Sequence, residues 1–115
     1  MLKQVVRATT KSFVIALNSK VGAATAPITD LTYWRCFIQL RDVKTKDIAG
    51  GVDREVTTKN QEGTKFVITL TDSDTNVEEG FYRLGMEFRN SQTGQVIEDA
   101  DNICEIHIVE EWVYD

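Results

Sequence analysis

Apolar and polar residues alternate with period two along most of the chain, and the 3.6-residue rhythm of an amphipathic helix is almost absent. Alternation predicts strands over residues 2–8, 12–18, 32–41, 52–58, 65–71 and 81–90, with a last region over 95–113 broken near Asp101 and Asn102. Turn formers separate them at 22–27, 50–51, 60–63, 72–80 and 90–94. Seven short strands at this spacing predict an all-β, seven-stranded antiparallel sandwich, and 115 residues suit one domain spanning 1–115. No internal repeat, low-complexity tract or linker interrupts it.

The same alternation assigns the core. Trp34, Cys36, Ile38 and Leu40 share one face of the third strand, Phe66, Ile68 and Leu70 one face of the fifth, and Tyr82, Leu84, Met86 and Phe88 one face of the sixth. These residues are expected to meet between two sheets. Tyr33, Phe37 and Phe81 then point outward, so the YWRCF run has apolar groups on both faces. Outward aromatics on one sheet suggest a partner surface, or a place where a loop such as 21–28 folds over them. Trp112 and Tyr114 lie among Glu110, Glu111 and Asp115, suited either to prolonging the last strand or to docking on a neighbour.

Composition narrows the chemistry. The formal net charge of −5 argues against a general phosphate-attracting field and hence against nucleic-acid binding. Residues 1–60 carry ten Lys/Arg and five Asp/Glu, whereas residues 61–115 carry three and thirteen. Copies could stack basic end to acidic end if the halves formed separate surfaces, but interleaved strands would mix the charges. The longest apolar run near the N-terminus, 13–17, is too short for a secretory or membrane segment, so a soluble chain made in a reducing cytoplasm is expected, without membrane attachment.

No catalytic constellation emerges. Cys36 and Cys104 lie far apart and His107 is the only histidine, so no zinc spacing exists. Cys36 or Cys104 with His107 could make a nucleophile pair, but Cys104 and His107 differ in strand parity and should face opposite ways, Cys36 lies on the core face, and His107 reads most simply as a surface strand residue. Asp72-x-Asp74-x-Asn76 begins like a calcium loop, but Val77 replaces the required glycine and Arg83 the bidentate glutamate. Asp72, Asp74, Glu78 and Glu79 read more simply as a capped, solvated turn, and Glu98, Asp99 and Asp101 likewise. No P-loop, GxSxG or HExxH is present. The expectation is a non-enzyme with no cofactor and no metal.

Two resemblances extend this reading. Glu78-Glu79-Gly80-Phe81-Tyr82-Arg83-Leu84 is similar to the D-x-G-x-Y-x-C tyrosine corner of immunoglobulin-like domains, with Tyr82 bonding backbone just upstream. Trp34-Arg35 resembles the tryptophan of strand C and its neighbour. Leu84 stands at the second disulfide cysteine, and Ala16 or its neighbours at the first; Cys36 and Cys104 are then either a different pair or two buried free thiols.

The order of Pro27-Ile28-Thr29-Asp30-Leu31, then Thr69-Leu70-Thr71-Asp72-Ser73-Asp74-Thr75, then Gly80-Phe81-Tyr82, looks like the N-terminal sandwich of bacteriophage baseplate upper proteins and related virion modules. That resemblance implies an Ig-like structural virion protein: a tail, baseplate, connector, fibre-adaptor or capsid-decoration subunit in an oligomeric assembly. It would be made in host cytoplasm and would pack against other virion proteins and copies of itself. Tyr33, Phe37, Phe81, Trp112 and Tyr114 are its candidate partner-binding residues. The alternative is a carbohydrate- or cell-surface-binding module on the same fold.

Overall fold

The computed structural model describes residues 2–21, 24–97 and 103–110. They form β1 (Leu2–Val6), β2 (Lys11–Val21), β3 (Ala24–Ile28), β4 (Trp34–Asp42), β5 (Ile48–Val56), β6 (Lys65–Leu70), α1 (Asp72–Thr75), β7 (Gly80–Asn90), β8 (Val96–Ile97) and β9 (Ile103–Val109). The large sheet has the order β1-β9-β7-β4-β5, with β8 also on β7; the small sheet has the order β3-β2-β6. Every pairing is antiparallel except β1 with β9, where Val5 lies beside Ile108 in parallel register.

The all-β architecture stands, but the described residues hold nine strands where alternation predicts seven. Of the stretch 22–27, expected as a loop, residues 24–27 instead belong to β3, which folds back on the far half of β2 with Leu17 opposite Ile28. Its small side chains resemble turn composition, and Pro27 is tolerated because β3 lies at a sheet edge. Gly50 and Gly51, expected as a break, lie inside β5, where the register shifts between Gln39 and Arg41. The stretch 72–80, expected as a turn, contains α1.

Every residue that alternation places inside is buried: Trp34, Cys36, Ile38, Leu40, Phe66, Ile68, Leu70, Tyr82, Leu84, Met86 and Phe88. Val5, Phe13, Leu17, Leu31, Val52, Val56, Cys104, Ile106 and Ile108 complete the cluster. At the position expected for the first disulfide cysteine, Ala16 points outward and its neighbour Leu17 takes the core. Cys36 and Cys104 are free and buried, on β4 and β9 with β7 between them.

Two polar contacts fix how the chain enters β7. The Tyr82 hydroxyl donates to the Glu78 carbonyl at 2.5 Å, closing the expected tyrosine corner. Upstream, Thr71 caps α1: its hydroxyl accepts from the Asp74 amide while its own amide donates to the Asp74 carboxylate at 2.8 Å, a reciprocal capping box. The remaining capacity of Asp74 goes to Arg54 of β5, whose guanidinium donates to both carboxylate oxygens at 3.0 and 2.6 Å. Burial alone would raise the Asp74 carboxyl, but the Arg54 guanidinium and the Thr71 amide outweigh it and hold the pKa below the ordinary 3.8.

Backbone geometry at β5 serves the same corner. Gly50 has φ +62°, and a Cβ there would sit 2.5 Å from the Asp74 carbonyl oxygen. Gly51 has φ +67° but open space around it. Gly50→Ala therefore combines left-handed strain with a backbone clash and is expected to cost about 3 kcal/mol, against about 1 kcal/mol for Gly51→Ala, as read by chemical denaturation. Equal costs would show that α1 does not rest on β5. Tyr82→Phe leaves the Glu78 carbonyl without its donor and should lower stability by about 1 kcal/mol, a fall of roughly 4–6 °C in thermal midpoint. An unchanged midpoint would mean the corner bond carries no stability.

Candidate functional site

Because β-strand side chains alternate, burying Trp34, Cys36, Ile38 and Leu40 leaves Arg35, Phe37, Gln39 and Arg41 on the outer face of the large sheet. Register sets their neighbours in rows. Glu105, Arg83 and Arg41 lie side by side across β9, β7 and β4; the next row is Gly85, Gln39 and Asp53; then come Glu87, Phe37 and Glu55, and finally Arg89 beside Arg35. Four arginines thus face four carboxylates on this surface, with no net charge on a chain whose total is −5.

Phe37 is the centre of the most ordered part. Arg35 and Arg89 would repel as a like-charged cross-strand pair, but each is neutralised. Arg35 forms a bidentate pair with Glu55 at 2.9 and 2.8 Å, and Arg89 pairs with Glu87. Hydrogen bonding from Arg35 holds the Glu55 carboxyl below its ordinary range. Both guanidinium groups then lie over the Phe37 ring, 5.1 and 5.6 Å from its centroid. Such exposed ion pairs add little stability, and their effect is to orient two cations and an aromatic ring.

A second feature lies at the opposite end of the face. Phe81 is 57% exposed and stacks on His107 of β9, with ring centroids 4.2 Å apart and planes 10° from parallel. Tyr33, 48% exposed, lies in the turn before β4, where its carbonyl accepts from the Ser91 amide at 2.8 Å.

The three aromatics expected to cluster are therefore spread along the sheet. Four residues separate Tyr33 from Phe37, about 13 Å at the rise of a strand. Phe81 pairs at the level of Val43, six residues or about 20 Å beyond Phe37. Sequence parity gives the face of each residue, but not the offset between β4 and β7 that sets their spacing. Trp112 and Tyr114 lie outside the described residues, as do Glu98, Asp99 and Asp101. His107, read from sequence as an ordinary surface residue, gains its place only through the pairing of Phe81 with it.

The other chemical candidates have structural occupations. Both Asp74 oxygens are engaged by Arg54, and the Asp72 carboxylate accepts from the Ser73 amide at 2.9 Å. Burial pushes the Cys36 thiol up to about 12 and also raises Cys104, so neither is a ready nucleophile. Cys104 and His107 face opposite sides of β9. Among the described residues no group of three or more His, Cys, Asp or Glu is placed to hold a metal ion. A polar hollow of about 360 Å³ lies between Arg7, Ala8, Asn76 and Glu110. No protein-family model matches the chain, and no curated protein matches it.

Proposed function

We propose that the chain is a structural module of a bacteriophage virion, an Ig-like sandwich that works by packing against other virion proteins and copies of itself. The observation that carries the packing part is the outer face of the large sheet. Phe37 lies there beneath two arginines already neutralised by Glu55 and Glu87, and Phe81 is exposed on His107.

Aromatic and arginine side chains are the residues that most often dominate binding at protein interfaces. Pre-paired arginines meet a partner with little rotamer freedom left to lose and with their charge balanced, which reduces the cost of covering them. Support for the virion setting comes from the order of the P-x-x-D-L, L-T-x-x-D and G-x-Y elements and from the tyrosine corner that Tyr82 makes with Glu78. The parallel pairing of β1 with β9 is compatible with an Ig-like arrangement.

Because Phe37 and Phe81 lie about 20 Å apart, they are two anchors rather than one patch. Phe37→Ala and Phe81→Ala are each expected to leave the chain folded and to weaken assembly by about tenfold or more, as measured by multi-angle light scattering alone and with candidate virion neighbours. Wild-type protein that stays monomeric and binds none of those neighbours would overturn the proposal. Normal assembly by both variants would remove this face from it.

A further inference from the structure

β2 is eleven residues long, and its two neighbours share it end to end: β6 pairs with Lys11–Ala16 and β3 with Leu17–Val21. Among the described residues, 12–16 have a strand on one side only. The direction of their backbone groups follows from β6. The Val67 amide donates to Thr58, the Lys65 carbonyl accepts from the Asn60 amide and the Thr69 carbonyl accepts from Arg54, so residues 65, 67 and 69 turn their polar groups away from β2. Their cross-strand partners are Ala16, Val14 and Ser12. In an antiparallel ladder such pairs turn away from each other, so Ser12, Val14 and Ala16 aim N–H and C=O at the empty side.

Each other edge strand of five residues or more among the described residues carries a feature that blocks pairing. On β6 the edge groups are occupied by Thr58, Asn60 and Arg54. β5 has a register break with positive-φ Gly50 and Gly51, β3 contains Pro27, and β1 is a five-residue strand whose Lys3 shares the inward parity of Val5. The β2 edge has no such feature: residues 12–19 contain no charge and no proline, and Val14 is 53% exposed.

We infer that residues 12–16 form a strand-addition site that accepts an extended, acidic peptide segment of another protein chain. Residues 12–16 span about 17 Å. An incoming strand pairs its backbone with Ser12, Val14 and Ala16 and sets alternate apolar side chains beside Phe13 and the partly buried Ile15, extending the core. Its flanks are acidic because residues 1–29 carry Lys3, Arg7, Lys11 and Lys20 and no Asp or Glu. This site belongs to the small sheet and is independent of the Phe37 face.

Residue-resolved hydrogen exchange on the full chain tests it. Alone, the Ser12 and Val14 amides should exchange about 100-fold faster than those of Phe13 and Ile15, which point into the β2–β6 ladder. The probe is a synthetic nine-residue peptide of alternating valine and threonine with two glutamates at each end. It should bind saturably and slow the Ser12, Val14 and Ala16 amides about tenfold or more, while its lysine-flanked counterpart binds at least about tenfold more weakly. Val14→Pro removes an N–H that the ladder does not use, so it should fold and lose the peptide; Val14→Lys, changed at an exposed side chain, provides the same test should the proline variant not fold. Slow exchange at Ser12 and Val14 in the chain alone, no saturable binding, or undiminished binding by the folded variants would each overturn the inference. None of these outcomes bears on assembly through Phe37.

Discussion

The carboxylate of Asp74 is the contact on which the arrangement of this sandwich depends. It belongs to the connection between β6 of the small sheet and β7 of the large one, and it grips Arg54 on β5, the edge strand of the large sheet. Arg54 in turn donates to the Thr69 carbonyl of β6 at 3.2 Å, so one guanidinium joins both sheets and the turn between them. The short helix α1 has too few residues to be stable alone and exists because Thr71 caps it and Asp74 is held. Its last residue, Thr75, is fully buried and donates to the Thr9 carbonyl at 2.6 Å, which ties the β1–β2 turn to the same node.

That node makes the small sheet asymmetric. On the β5 side the edge of β6 is covered by Arg54 and by the strand-like segment containing Thr58 and Asn60; on the other side β2 ends the sheet over residues 12–16. The large sheet presents a broad outer face in which charge is balanced between neighbouring rows and two aromatic features stand far apart. The proposed assembly role uses that face, whereas the small sheet supplies a backbone edge of different chemistry. As proposed, one fold offers side-chain recognition on one sheet and main-chain recognition on the other.

Much of the core was legible in the sequence because each strand has one buried face. Period-two alternation then carries the inside-outside decision for Trp34 to Leu40, Phe66 to Leu70 and Tyr82 to Phe88 without any knowledge of pairing. The tyrosine corner was legible because its hydrogen bond spans only four residues. What alternation could not give was anything set by contacts distant in sequence. β3 is built from alanine, threonine and proline and becomes a strand only by pairing with β2. Gly50 reads as a break until α1 is seen lying against it. The open edge of β2 depends on which of its backbone groups its neighbours take, and the spacing of Tyr33, Phe37 and Phe81 on the register of β4 with β7.

The Asp74–Arg54 pair can be tested without reference to function, by a double-mutant cycle of Asp74→Asn and Arg54→Met followed through chemical denaturation as a function of pH. Arg54 is more than a third exposed, which places the coupling below that of a fully buried pair, at about 1–2 kcal/mol near neutral pH. Because the folded pKa of Asp74 is depressed, this coupling should be complete above the ordinary carboxylate value of 3.8 and lost as pH falls through the lower folded value. Additive single-variant effects at neutral pH, or a coupling that persists unchanged into strong acid, would contradict the central role given to Asp74.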